Sequence, residues 1–262
     1  MPPNKKKIIY EDRIVAFVDI LGFRTMINER CAGNISNILS IPKKHFKNLP
    51  LDKYKNIEIS TFSDSIIISF IYTEEHAVYN LLVDLENILI KFIYMDVICR
   101  GAIVKGKIIH NQKYLFGPAF VEAYELEKKM KYPKIGFFKE IYDIGCMYHH
   151  QKNTIEKEEN FIKTLCIKDD DDNYFIDYFS TPIASVCNVI TVNRKKYLLK
   201  LIEITNNGLK NMNPCVREKY IWLKDKLKDT LNNLLNFSDE MYELVFKDIK
   251  KDDIKYMIQN IS

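Results

Sequence analysis

Two patterns of apolar residues divide this chain. In the first, runs of Ile, Val and Phe are almost unbroken. Positions 14–20 read Ile-Val-Ala-Phe-Val-Asp-Ile and positions 65–72 read Ser-Ile-Ile-Ile-Ser-Phe-Ile-Tyr. Runs with no polar side predict strands covered on both faces. Positions 56–63 and 65–72 flank Asp64, which predicts a tight antiparallel hairpin with Asp64 near its tip. In the second pattern apolar residues return at helical spacing. Within 77–92, Leu81, Leu82, Leu85, Ile88, Leu89 and Phe92 share one face. Gly22 marks a turn, and 23–39 has helical spacing with a polar break around Gly33. Positions 97–109 form a further strand region interrupted by Gly101 and Gly106. Pro118 suits the first turn of a helix running to about Lys131, with Ala119, Ala123, Leu126 and Met130 facing inward. Pro133 closes that helix, and 134–138 begins a new strand.

The resulting order is strand, helix, strand, strand, helix, strand, helix, strand. It predicts an α+β fold: a ferredoxin-like βαββαβ core with helices on one face of a mainly antiparallel sheet. A second hairpin is expected at 161–167 and 174–179, joined by the acidic run 169–172. The spacing of those carboxylates matches no calcium loop, so a solvated turn is expected. Beyond Thr181, 184–206 and 215–235 read as long helices, broken by Asn206-Asn207-Gly208 and Pro214. Ser238 with Glu240 and Glu243 signals one more short helix. The expected organisation is a core over 9–182 and a C-terminal helical extension over 183–262.

Composition narrows the functional classes. Hydrophobic residues make up 47% of the chain, with 8 Gly and 8 Pro, so a sizeable core can form. No apolar stretch approaches the roughly 20 residues of a membrane span. The basic start at 1–7 is followed by Glu11, Asp12 and Arg13, where a secretion signal needs apolar residues. A cytoplasmic protein without a membrane partner is the expectation. A net charge of +4 gives no reason to expect a nucleic-acid partner. The six cysteines form no close pair, so core thiols are expected rather than a zinc site or disulfides.

The chemistry gathers around two acidic residues. The segment Phe17-Val18-Asp19-Ile20-Leu21-Gly22-Phe23 resembles the first metal-binding motif of the class III nucleotide cyclases, and Thr61-Phe62-Ser63-Asp64-Ser65 resembles the second. Their separation, 64 − 19 = 45 residues, is close to that family's spacing. Taken singly, Asp19 could cap the next helix and Asp64 could be a plain turn residue. The resemblance covers about 13–145 and implies two Mg²⁺ or Mn²⁺ ions, with Asp19, Asp64 and Ile20 as metal positions. One ion activates a ribose hydroxyl and the other absorbs charge on departing pyrophosphate. The backbone of Ile20, Leu21, Gly22 and Phe23, opening a helix, would face the triphosphate.

The third motif, Lys113-Tyr114-Leu115-Phe116-Gly117 followed by a helix, departs from the family. Val121 falls at its Asn position and Glu125 at its Arg position. Arg100 is the candidate substitute that would stabilise the transition state, and Arg24 is a second; Lys128 and Lys129 read as surface residues. At the base-selecting positions stand Ser60 and Tyr114, which match neither the adenine nor the guanine pair. That opens a pyrimidine base, as in the antiphage Pycsar cyclases. Class III sites form between two cores, so a homodimer is implied.

Three readings follow. The first is a cyclase converting a nucleoside triphosphate to a cyclic mononucleotide and pyrophosphate. The second is a catalytically silent nucleotide-binding sensor or scaffold, and the third a two-carboxylate enzyme of the polymerase-palm type. The neighbours His149 and His150 make a poor metal pair, and Trp222 reads as a packing residue. Tyr124 and Glu127 belong to a compact patch at the end of the third-motif helix.

Overall fold

The computed structural model describes residues 8–49, 56–169, 173–180, 193–240, 242, 246 and 248–261. Strand β1 (Glu11–Ile20) lies at the middle of the sheet. It pairs antiparallel with β3 (Ser65–Phe70) on one side and β4 (Cys99–His110) on the other. Strand β2 (Glu58–Phe62) pairs with β3 at one edge. Past β4 come β6 (Ile135–Phe137), β8 (Tyr174–Ile176) and β7 (Cys166–Lys168), and the short β5 (Leu115–Phe116) folds back on β4. Among the described residues only β4 and β6 pair in parallel. The α+β reading with a mainly antiparallel sheet is therefore what forms.

The unbroken apolar run of β1 is explained by cover on both faces. Ile14, Ala16, Val18 and Ile20 join the main core with Ile66, Ile68, Phe70 and the inner face of α3 (Ala77–Tyr94). Val15 and Phe17 point the other way, into a smaller cluster with Ile67, Val104, Ile108, Ala119 and Ala123. The last two belong to α4 (Pro118–Lys129), which packs across β4 and β1 on the face opposite the main core. Close approach needs small residues: a Cβ at Gly106 would lie 3.2 Å from the Ala119 Cβ. Gly117, entering α4 at φ 150°, has room for no side chain, since a Cβ there would stand 2.7 Å from the Ile108 Cα.

Several boundaries differ from expectation. The helix read at 23–39 is two helices, α1 (Phe23–Glu29) and α2 (Ala32–Lys47). The chain turns at Arg30, which is extended and donates to the Met95 carbonyl at 2.7 Å; Gly33 lies inside α2. After α5 (Lys139–Met147), residues 161–163 belong not to a strand but to α6 (Ile155–Lys163), started by the Thr154 hydroxyl accepting from the Lys157 N–H. Strand β7 begins only at Cys166. Helix α7 (Arg194–Leu209) continues through 206–208 where a break was expected. Gly208 is there for packing: a Cβ would fall 2.1 Å from the Tyr220 ring, so glycine lets α8 (Pro214–Leu235) close on α7.

Helix α9 (Lys251–Gln259) completes the described elements. Tyr197 and Leu201 of α7, Leu223 and Leu227 of α8, and Met257 of α9 all join the main buried cluster. Trp222 stacks on Tyr132 and packs against Phe175 and Phe179, as a packing residue should. Cys99 and Cys146 are buried thiols, but Cys31 and Cys215 are exposed, contrary to the core expectation for them. The opening stretch 1–7, most of the acidic run (170–172), Cys187, the first part of the helix read at 184–206 and Glu243 lie outside the described residues. No described helix is long and apolar enough to cross a membrane.

Candidate active site

Side chains alternate along β1, so Asp19 faces the same side as Val15 and Phe17, towards α4. Register sets it opposite Ser65 on β3 and Arg100 on β4. Asp64 occupies the turn between β2 and β3, where Ser63 adopts φ 52°, and its carbonyl accepts the Ile20 N–H at 3.0 Å. One backbone hydrogen bond thus ties the ends of the two motifs together.

The expected phosphate-facing backbone of 20–23 is only partly free. Ile20 donates to Asp64 and Leu21 donates to the Ile98 carbonyl at 3.0 Å, because both still belong to the sheet margin. That leaves Gly22 and Phe23, with Gly22 in the left-handed region at φ 73°. Helix α1 has 7 residues, so its dipole adds less than a long helix would.

Arg100 lies between two carboxylates. Its Nε is 3.5 Å from Asp19 Oδ2 and forms an ion pair with Glu127, while a terminal nitrogen donates to the Met130 carbonyl at 3.3 Å. Burial pushes the Asp19 carboxyl up to about 6, helped by the negative charges of Glu127 and Asp64 and opposed by Arg100. Burial raises Glu127 as well, against the pull of Arg100. Glu127 is 2% exposed and its Oε1 has no aligned donor within the described residues. The sequence does carry a signal for its place in this cluster. Ala119, Ala123 and Glu127 recur every fourth residue, so Glu127 continues the buried stripe of α4.

The residues standing at the family's Asn and Arg positions are elsewhere. Val121 is 52% exposed and Glu125 is exposed, both on the outer side of α4. Arg24, Lys128 and Lys129 are also exposed, and Lys128 covers the Tyr124 ring at 4.0 Å. Of these cations Arg100 is the one the fold brings to Asp19.

Ser60 faces the α4 side of β2, opposite Ile67. Its Oγ lies 2.9 Å from His110 Nε2, His110 Nδ1 lies 2.8 Å from Ser69 Oγ, and Arg13 donates to that same Oγ at 3.2 Å. Burial, together with the Arg13 charge, pushes His110 down to about 4. Tyr114, by contrast, is 49% exposed in the turn before β5, where its N–H donates to Asn111 Oδ1. The two expected base-selecting residues are therefore held differently, Ser60 in a buried chain and Tyr114 at an exposed turn.

Among the described residues no group of three or more His, Cys, Asp or Glu side chains is arranged to hold a metal. His149 donates to the His150 carbonyl, and His150 Nδ1 accepts the Lys152 N–H, so these two do not converge. The donor set at Asp19 and Asp64 consists of carboxylate oxygen only. Two carboxylates close enough for the charge of Asp64 to be felt at Asp19 are the donor type that a hard divalent cation takes.

No protein-family model matches this chain, and no curated protein matches its sequence. Solved structures of cyclase domains are similar to it. One is a bacterial light-regulated adenylyl cyclase, at 16% identity and TM-score 0.42 over 54% of this chain and 47% of that one. A second is the adenylyl cyclase CyaB from P. aeruginosa, at 13% identity and TM-score 0.45 over 64% of this chain and 94% of that one. A third is the monomeric guanylyl cyclase domain of the RhoGC fusion protein from the aquatic fungus Blastocladiella emersonii, at 14% identity and TM-score 0.41, covering 64% and 95%. The chain spans about half the length of the light-regulated enzymes it matches.

Proposed function

We propose that this chain is a nucleotide cyclase, closing a nucleoside triphosphate to a cyclic mononucleotide with release of pyrophosphate. The observation behind it is the joining of the two acidic motifs: Asp19 opposite Ser65, the Asp64 carbonyl on the Ile20 N–H, and Asp64 close enough for its charge to be felt at Asp19. Asp19 and Asp64, with the backbone of Ile20, would hold the cations. Mg²⁺ or Mn²⁺ bound there would lower the pKa of the attacking hydroxyl and take up charge on the leaving pyrophosphate. Gly22 and Phe23 offer N–H groups to the phosphates. Arg100, fixed by Glu127 and the Met130 carbonyl, keeps guanidinium N–H groups to direct at the transferred phosphate.

The finer form of the proposal is a pyrimidine triphosphate as substrate, a homodimer as the working unit, and a role in antiphage signalling. Phe62, Val121 and Tyr124 are exposed apolar side chains that a second copy could cover. A second reading, nucleotide binding without turnover, is favoured by one observation: Val121 and Glu125 leave the exposed side of α4 without the Asn and Arg of the family.

The test is incubation with each of the four triphosphates and Mn²⁺, with products resolved by mass. A cyclic monophosphate that disappears in Asp19→Asn supports the cyclase. Linked nucleotides would point to palm-type chemistry, and tight binding without product to the sensor. Cyclisation that survives Asp19→Asn would remove the two-carboxylate site.

A further inference from the structure

Residues 130–134 connect α4 to β6, and both ends of this turn bond to the strand that carries Arg100. At one end the Met130 carbonyl accepts from a terminal guanidinium nitrogen of Arg100 at 3.3 Å. At the other the Lys134 carbonyl accepts the Gly101 N–H at 2.9 Å. Arg100 Nε, set between the Asp19 and Glu127 carboxylates, has no aligned acceptor among the described residues. Attraction between charges depends on distance far more than on angle, so the two carboxylates hold the guanidinium near without aiming it. The bond to Met130 is what fixes its rotation.

The turn is itself held by the C-terminal helices. The Tyr132 ring lies parallel to the Trp222 ring of α8 with centroids 5.4 Å apart, and Lys131 forms an ion pair with Glu218, one helical turn before Trp222. Phe175 and Phe179 pack against the same indole. Beneath, the buried Tyr178 hydroxyl donates to the Pro133 carbonyl at 2.6 Å, and the Tyr197 hydroxyl of α7 donates to the Tyr178 carbonyl at 2.7 Å.

We propose that α7 and α8 set the orientation of Arg100 through this turn, with Tyr132 and Trp222 as positioning residues for the candidate active site. This rests on the cyclase reading above, in which Arg100 acts on the transferred phosphate. Both aromatic residues act through the Met130 carbonyl. A guanidinium that rotates away keeps its charge near Asp19 but loses the aim of its N–H groups, and a transition state needs that aim. The two helices therefore contribute to turnover rather than to substrate binding.

Two variants of the full chain test this. Lys131→Ala/Tyr132→Ala removes the α8 side of the clamp at residues outside the buried core cluster, and Trp222→Leu cuts the same stack from α8. Arginine side-chain ¹⁵N NMR, with Arg100 assigned by its loss in Arg100→Lys, reads the restraint without any turnover. The unaltered chain should give separate terminal-nitrogen signals for Arg100, and both variants should merge them as rotation about the Nε–Cζ bond is freed. Merged signals in the unaltered chain, or separate signals that persist in both variants, overturn the inference. With whichever triphosphate the chain cyclises, kcat should fall about ten- to a hundredfold in both variants while KM stays within about twofold. Tyr132→Phe, which keeps the ring, should retain kcat. A raised KM at constant kcat, or an equal loss in Tyr132→Phe, overturns the positioning role and leaves the cyclase reading standing. No cyclic product from the unaltered chain removes the cyclase reading, and the NMR signals still decide whether α8 holds Arg100.

Discussion

Glu86 offers a quantitative test of the core. It lies within α3, 1% exposed, with Oε2 unpartnered and Asp177 nearby. Asp177 accepts from the Phe179 N–H at 2.9 Å, the Ser180 N–H at 3.1 Å and the Ser180 hydroxyl. Burial raises both acids; three donors offset part of that at Asp177, whereas Glu86 Oε2 has none among the described residues. Burial first, and the Asp177 charge second, push Glu86 from 4.5 up to about 8. A carboxyl raised on folding contributes stability that is complete below about 4.5, falls as the pH climbs, and is gone once the pH has passed about 8. At about 1.4 kcal/mol per pH unit, the whole loss is on the order of 5 kcal/mol, and roughly 3 kcal/mol of it falls between pH 5.5 and 8.5. Glu86→Gln keeps the shape and removes the titration. Urea unfolding followed through the single tryptophan, Trp222, which packs on Phe175 and Phe179, should show the stability difference between variant and parent changing by that amount in favour of the variant as pH rises. A difference that stays constant across the range would refute a protonated Glu86.

Three further outcomes are expected. Gly117→Ala should cost about 2–3 kcal/mol, because its Cβ would meet Ile108 and Lys107 backbone at 2.7 Å at a φ of 150°; the thermal midpoint measures this. Arg100→Met should destabilise by roughly 3 kcal/mol through the buried Glu127 left unpaired, and Arg100→Met/Glu127→Gln should recover most of it; additive losses in urea titrations would show that the pair is not coupled. Leu223→Ala should cost about 2–5 kcal/mol and lower a single cooperative transition, since α8 packs into the same buried cluster as the sheet; a separate early transition for the C-terminal helices would contradict a shared core.

Local pattern carried β1 and the hairpin into view, because runs such as Ile66-Ile67-Ile68 have few other uses than a strand covered on both sides. It also placed Asp19 and Asp64 at a strand end and a turn. What it could not supply was anything set by register between distant strands. Arg13, Ser60, Ser69 and His110 are spread over nearly 100 residues and meet only because four strands align, a separation no periodicity reports. Glu127 was visible as part of a patch, but its burial depends on which face of α4 crosses the strand ends. The commitment of the Ile20 and Leu21 amides was hidden for a related reason: their acceptors, Asp64 and Ile98, come from the turn after β2 and the residue before β4. Asn206-Asn207-Gly208 is the opposite case: its composition is that of a break, yet its glycine lies within α7 and accommodates an aromatic ring.

The single rung from Ile20 to the Asp64 carbonyl has a consequence for how sequences of this kind can drift. The separation of the two acids along the chain is not what aligns them; the pairing of β1 with β3 is. One residue gained or lost within β1 or β3 would send an aspartate to the wrong face. Insertions should therefore be excluded from the paired strands, so that strand phase, rather than the count of 45, is the heritable quantity.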